Sequence, residues 1–415
     1  MKPLHIAIVG YGTAGQAAAI LLSRDGHRIE VFERAPSLGP VGAGLLLQPT
    51  GLHVLWRMGL LDQALAHGAR IGRLYGETPN GRAVMDMRYA ALDPRLFGLG
   101  MQRGALFTLL ARAWPDVGGV HCGSNIAAVD ADGRRLRDAR GHEYGPFDLV
   151  LAADGSASSL RASVAKPQLD RTYPWGALWC LVSAAGWEHG GELRQRYLAA
   201  RKMIGLLPVG TRPDDPLPRL SFFWSLRADE FDAWQQRGLD PWRDEVAALW
   251  PQAGSCVARL DSTAQLARAS YRDAVLTRWH RDRLVLVGDA AHALSPQLGQ
   301  GVNMALMDAL ALRDALREDD DIDAALTRYT RERRAHVRIY HTFSRWLTPL
   351  FQSDRDVVAR VRDFSFAPLG RLPGSRGMML RVLSGTQRGW FGQLRLPEEF
   401  LRTLESASAR ASTSP

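Results

Sequence analysis

Between an apolar run, Leu4 to Val9, and a stretch of small and apolar residues, Thr13 to Arg24, lies Gly10-Tyr11-Gly12-Thr13-Ala14-Gly15. This GxGxxG pattern restricts the fold more than any other part of the chain. Its glycines answer separate steric demands: a tight turn, close approach of backbone to a pyrophosphate, and close packing of helix on strand. The run before it reads as a buried strand, the stretch after it as a helix, and Arg28 to Phe32 as a second strand. Glu33 ends that second strand, where a carboxylate accepts hydrogen bonds from an adenosine ribose, with Arg34 beside it; the helix N-terminus offers free N–H groups to phosphate. A dinucleotide-binding βαβ unit on a parallel sheet is expected. NAD and FAD both use this pattern, so it does not choose between them.

Further helices are expected at Gly51 to Met58 and Gly104 to Trp114, and a strand at Leu149 to Ala152, so the first third is α/β. The middle then changes character. Tyr173 to Val182, Leu193 to Leu198, Met203 to Pro208 and Leu220 to Leu226 alternate with Gly, Pro and polar turns, which predicts an antiparallel sheet. A hairpin of Leu74 to Gly76 and Ala83 to Met87 around Asn80-Gly81 is placed to join it. The α/β pattern returns with a strand at Leu284 to Val287 and a helix from Gly301 to Leu316. A long arginine-bearing helix follows from Ile322 to about Trp346, then helix at Val357 to Phe366 and Met378 to Leu383. The fold class is therefore α/β: a Rossmann-like domain over residues 1–72, 98–172 and 270–340, an inserted, mainly antiparallel substrate domain over 73–97 and 173–269, and a helical C-terminal region over 341–405. Residues 406–415, small and polar, are expected to be a disordered tail.

Composition removes several function classes. The three cysteines, Cys122, Cys180 and Cys256, have neither CxxC spacing nor a His cluster beside them, so no disulfide framework and no metal site is indicated. The net charge of +9 comes from arginine, the lysines being only Lys2, Lys166 and Lys202. These arginines are scattered among acids rather than gathered on one face, which argues against nucleic acid. A positive field suits anionic NAD(P)H, an acidic substrate, an acidic carrier protein or a peripheral membrane contact. The first apolar run is too short to span a bilayer, so a cytoplasmic protein, monomeric or dimeric, is expected.

Two further segments carry a resemblance. Asp148 to Arg161, reading DLVLAADGSASSLR, resembles the "DG" motif of the aromatic hydroxylase family of flavoprotein monooxygenases, the p-hydroxybenzoate hydroxylase-like enzymes. Arg283 to Asp308, RLVLVGDAAHALSPQLGQGVNMALMD, resembles that family's "GD" motif and the helix after it. With the glycine turn these stand in the family's order over residues 4 to 340. The resemblance implies FAD bound by Asp154, Gly155, Arg161, Arg103, Gly288 and Asp289, with Asp289 on a ribityl hydroxyl. It implies that Gly299, Gly301, Val302 and Asn303 bring backbone and a helix N-terminus to the pyrimidine end of the flavin, where the reduced ring is anionic. Pro296 stands where the family places a proline bordering the flavin at the hydroxylation site; no side-chain base is assigned. His292, in GDAAH, is expected to be structural or to touch flavin.

The implied activity is NAD(P)H-dependent hydroxylation or epoxidation of a small aromatic or polyketide-like substrate, with NADPH or NADH as transient reductant and O2 adding at flavin C4a to give a hydroperoxide. Substrate is expected between flavin and the middle sheet, on Tyr197, Leu206, Phe222 and Trp224. A flavin-dependent halogenase of the same fold, or a non-catalytic flavin-binding redox protein, is the alternative.

Overall fold

A computed structural model of the chain describes residues 2–39, 42–114, 116, 119–370 and 372–413. Strand β1 (His5–Val9) runs into α1 (Thr13–Arg24) and returns as β2 (Arg28–Glu33). Next come β3 (Gly44–Leu47), α2 (Pro49–Arg57), α3 (Leu61–His67), β4 (Ala69–Ile71), the hairpin β5 (Arg73–Glu77) and β6 (Ala83–Arg88), β7 (Gly98–Gln102), α4 (Arg103–Ala113) and β8 (Val120–Cys122). A meander of β9 (Ile126–Val129), β10 (Leu136–Asp138) and β11 (Glu143–Tyr144) precedes β12 (Leu149–Ala152) and α5 (Arg161–Val164). The middle holds β13 (Leu169–Ser183), β14 (Glu192–Leu198), β15 (Lys202–Pro208), β16 (Arg219–Arg227), α6 (Phe231–Arg237), α7 (Leu239–Leu249), α8 (Pro251–Val257) and β17 (Ala267–Val275). The chain then forms β18 (His280–Arg281), β19 (Leu284–Leu286), α9 (Asp289–His292), α10 (Gly301–Glu318), α11 (Ile322–Phe351), α12 (Asp356–Leu369), α13 (Pro373–Ser384), the hairpin β20 (Gln387–Arg388) and β21 (Gly392–Gln393), and α14 (Glu398–Thr413).

The nucleotide layer is a sheet in the order β18-β19-β12-β1-β2-β8, parallel except where β18 runs against β19. Strands with all side chains apolar, such as Ile6 to Val9 and Leu149 to Ala152, belong in a parallel sheet covered on both faces, and these residues are buried. Helix α1 packs on α10 and α4, so residues from distant parts of the sequence meet at the ends of the strands. The second layer is a sheet in the order β17-β13-β16-β15-β14-β5-β6. It is antiparallel apart from the β14/β5 seam, where the expected hairpin joins it.

Side-chain alternation in this second sheet corrects the expected substrate wall. Phe222, Trp224 and Leu206 lie on the face covered by α6 to α8, in a core with Phe231, Trp234 and Trp242. Trp242 meets Phe222 edge-on at 5.7 Å and Trp224 at 6.2 Å, so these rings are core rather than pocket. Tyr197 is on the opposite face but is buried against Phe351 of α11 at 5.1 Å, and its hydroxyl donates to Gln195. The tail is a second correction: α14 continues through Thr413, so the expected disorder from Ser406 does not extend over 406–413. Phe400, Leu404 and Ala407, spaced for one helix face, are buried, and Arg70 donates to the Ser408 hydroxyl at 2.7 Å. Ser414 and Pro415 lie outside the described residues.

Candidate functional site

The three glycines of the first turn do different work. Gly10 has φ +101°, and a Cβ there would lie 2.4 Å from the Ala153 carbonyl oxygen; one at Gly15 would lie 2.0 Å from the Gly10 carbonyl oxygen. These two therefore lock turn, helix and β12 together. Gly12 has nothing within 4 Å of such an atom and is exposed, so the first turn of α1 opens on a cleft. That cleft, about 510 Å³, is bounded by Gly10, Gly12, Thr13, Glu33, Arg34, Arg103, Asp154 and Gly155 among the expected residues. Gln16, Ser124, Asn125 and Ser159 also bound it; of these only Ser159 falls within a motif the sequence marks, the DG segment. Ala14 and Gly15 are buried behind it as packing.

The Glu33 carboxylate accepts from the Tyr11 and Ala35 backbone N–H groups at 2.8 and 2.9 Å, which fixes its orientation at the rim of the cleft. Asp154 accepts from the Ser159 N–H at 2.9 Å through Oδ2, while its Oδ1 is buried with no partner. A buried carboxylate oxygen without a donor is costly, and a nucleotide hydroxyl at this end of the cleft would supply one.

Deeper in, Asp289 and Arg103 are surrounded by protein yet exposed, because both face open space between the layers. Burial pushes the Asp289 pKa up, against the lowering effect of His292, Arg103 and Arg161. Burial pulls the Arg103 pKa down, opposed by Asp289 and Tyr271. The Asp289 Oδ1 lies 3.9 Å from where a Gly301 Cβ would be, which sets the carboxylate beside the first residue of α10. Gly299, left-handed at φ +61°, and Gly301 are both exposed, and Pro296 and Val302 are half-buried around them. An 18-residue helix thus starts with its positive dipole end open to this space.

Two expected cofactor residues act elsewhere. Arg161 is buried, and its guanidinium donates to the carbonyls of Ala290, Ser156 and Asp289 at 2.8 to 2.9 Å and to Asp170 at 3.1 Å. It ties the turn after β12 to the turn after β19, and its donors are spent inside the protein. The Asn303 side chain accepts from the Gln48 N–H at 2.8 Å and donates to the carbonyls of Leu46 and Gly299 at 3.2 and 3.0 Å. It braces the start of α10 against β3, leaving only its backbone for any contact with the open space.

His292 is structural. Its Nε2 meets Asp308 Oδ2 at 2.6 Å, and Asp308 also accepts from Gly288 N–H at 2.8 Å and from Arg333 Nε at 2.6 Å. Burial opposes ionisation of Asp308, but His292 and Arg333 hold its carboxyl down to about 2. Through the Gly288 N–H this fully buried carboxylate sets the turn that carries Asp289.

The face of the second sheet opposite α6 to α8 carries a second aromatic group, Trp179, Phe223 and Tyr271. Trp179 stacks on Phe223 at 5.2 Å, and Trp179 Nε1 donates to the Tyr271 hydroxyl at 3.1 Å. Burial pushes the Tyr271 pKa up to about 12, against the lowering influence of Trp179 and the nearby Arg103, so the phenol stays protonated at neutral pH. Because that oxygen already accepts from Trp179, its own proton is free to donate.

Residues 4–344 match the family model described as FAD binding domain. The chain is 28% identical to 6-methylpretetramide 4-monooxygenase of Streptomyces rimosus, over 92% of each protein. It is 27% identical to 6-hydroxynicotinate 3-monooxygenase of Pseudomonas fluorescens, over 76% of this chain and 83% of that one. The fold matches that of Klebsiella pneumoniae HpxO, solved with FAD and uric acid, with a TM-score of 0.75, covering 92% of this chain and 97% of that one at 24% identity. A halogenase is not favoured, since these relatives are named for oxygen insertion. The chain belongs to the FAD-binding domain family, among its FAD-dependent monooxygenases.

Proposed function

We propose that this chain uses NAD(P)H and O2 to hydroxylate a small, electron-rich aromatic or polyketide-like substrate lying between the nucleotide layer and the Trp179, Phe223 and Tyr271 wall. The observation that carries the reading is the set of exposed groups inside the molecule: Gly12, Arg103, Asp289, Gly299 and Gly301 face open space between elements that are otherwise tightly packed. In this reading residues 1–72, 98–172 and 270–340 form the FAD domain, 73–97 and 173–269 the substrate domain, and 341–405 the helical C-terminal region.

Gly10, Gly12, Thr13, Glu33, Arg34, Asp154 and Gly155 would hold the adenosine and pyrophosphate end of FAD, and Arg103, Asp289, Pro296, Gly299, Gly301 and Val302 the ribityl and flavin end. Bound FAD supplies the redox chemistry, accepting reducing equivalents from NAD(P)H and activating oxygen. The chain's part is to orient, to stabilise charge and to keep water out. The open start of α10 favours negative charge beside it. Asp289 accepts a hydrogen bond from a hydroxyl there, and Arg103 balances that carboxylate. Tyr271 donates to an oxygen of the substrate, and the Trp179 and Phe223 rings offer an apolar surface for a flat ring. Within this wall no side chain is poised as a base, which fits a substrate that is already electron-rich.

The test is a visible spectrum of the purified protein, followed by NADPH and NADH oxidation with phenolic acids, pyridine and quinolone carboxylates and polyketide phenols. A bound flavin, substrate-stimulated oxidation and incorporation of oxygen into product are expected. Flavin binding without reduction by either nucleotide would overturn the reading in favour of a redox protein served by a separate reductase.

A further inference from the structure

The outer face of α11 and the tip of the β20–β21 hairpin form a surface that the flavin chemistry does not use. Phe343 and Trp346 of α11 pack with Trp390 of the hairpin turn in a three-ring cluster, with centroids 5.8 to 6.0 Å apart. The cluster is not covered: Trp346 is 60% exposed, Trp390 49%, and Phe391 at the tip is fully exposed. Phe343 is half-buried against the main core and carries the exposed rings outward, an arrangement unusual on a surface that meets nothing but water.

The same helix carries a basic ridge. Arg331, Arg334 and Arg338 recur at helical spacing on its exposed side, and among the described residues none has a carboxylate within salt-bridge distance. Elsewhere the exposed arginines of this chain are commonly paired, as Arg201 is with Asp356 and Arg317 with Asp25. Glu332, the acid nearest in sequence, acts on Arg328. Partial burial, and then the nearby Arg338, pull the Arg334 pKa down. Asp319 acts on Arg331 from beyond contact distance, while Arg334 and Arg338, adjacent like charges with no carboxylate in contact, leave room for an anion from outside.

We propose that this face docks on an anionic lipid bilayer, with Trp346, Trp390 and Phe391 entering the headgroup region and Arg331, Arg334 and Arg338 lying along its phosphates. Tryptophan and phenylalanine at a projecting hairpin tip, flanked by arginine, are the residue set that partitions to a membrane–water interface. Guanidinium groups without partners take phosphate oxygens in pairs. A protruding tip suits insertion between headgroups better than a flat protein contact. No described helix is long and apolar enough to cross a membrane, so the contact is peripheral.

Sedimentation of the full-length, flavin-loaded protein with phosphatidylcholine vesicles, with and without one-third phosphatidylglycerol, tests this. Binding to the anionic vesicles is expected, falling with salt and lowered about tenfold or more by Arg334→Glu with Arg338→Glu. Trp390→Ala with Phe391→Ala should lower it similarly, and both pairs should leave NAD(P)H oxidation without vesicles unchanged. Absence of binding to anionic vesicles, equal binding to neutral ones, or full binding by both paired variants overturns the proposal. So does a dimer, seen by sedimentation velocity without vesicle binding, that these substitutions disperse; that would give the face to a second copy of the chain.

Discussion

A methyl group added at Gly12 would meet nothing within 4 Å, whereas one at Gly15 would lie 2.0 Å from a backbone oxygen. Gly12→Ala should therefore keep the wild-type melting temperature while weakening FAD binding, because the methyl projects into the cleft. Gly15→Ala should instead lower stability by several kcal/mol or prevent folding, as overpacking against a backbone atom cannot relax cheaply. Thermal unfolding beside flavin titration separates the two. Asp289 gives the opposite pairing. Burial pushes its carboxyl up, so its contribution to apoprotein stability is fully present below the unfolded carboxyl range and is lost as pH rises through the folded pKa. Asp289→Asn should raise apoprotein stability at pH 7 and lower FAD affinity about tenfold to a hundredfold, the loss of a charge-assisted hydrogen bond. A variant that lost both stability and affinity would remove Asp289 from the flavin site.

At the scale of elements, strands and helices with one dominant period are legible in the residues themselves. Helix α1 has the expected bounds, Thr13–Arg24, and β12 the expected Leu149–Ala152, because apolar residues on every position leave few alternatives. Helices α6 to α8 are not legible in this way: Gly238, Pro241 and Pro251 break the stretch into pieces whose apolar residues, Phe231, Trp234 and Trp242, only find a common face on the sheet. Their presence decides which side of β16 is core, and so excludes Phe222 and Trp224 from the pocket. Helix α14 poses the same problem, as Ser, Ala and Thr lower its local helix signal while Phe400 and Leu404 bury it. Leu404→Ala should cost about 2–5 kcal/mol in urea denaturation, as expected for a truncated buried leucine, while exposed Arg402→Ala should be near neutral. Equal stability of the two would show that this helix does not dock.

Across the whole molecule, histidines buried as neutral rings set the acid limit. His53, with both ring nitrogens unpartnered between Trp56 and Phe400, is pulled to about 4, and His336, whose Nε2 meets the Gly385 carbonyl oxygen at 2.9 Å, to about 3, both mainly by burial. A free histidine protonates near pH 6.5, roughly. The unfolded chain thus binds these protons first, and stability should decline as pH falls below about 6.5 toward 4. Asp308, held at about 2, extends the loss as pH falls from about 3.9, the usual aspartate value, toward 2. His53→Phe should raise the urea midpoint at pH 7 slightly and at pH 5 more, since it removes both an unsatisfied polar ring and a proton the fold rejects. An equal gain at the two pH values would exclude the protonation cost.

From the sequence alone came the nucleotide fold, because a glycine turn between a strand and a helix imposes a local backbone readable in a few residues, and the cofactor class, through the resemblance of the DG and GD segments to the aromatic hydroxylase family. The hydrogen-bond partners of Arg161 and Asn303, the brace formed by Asp308 and Arg333, and the burial of Phe222 and Trp224 beneath α6 to α8 were decided only by the tertiary structure. Strand alternation defines two faces without saying which one a helical layer covers, and the partners of Arg161 lie up to 129 residues away in the chain.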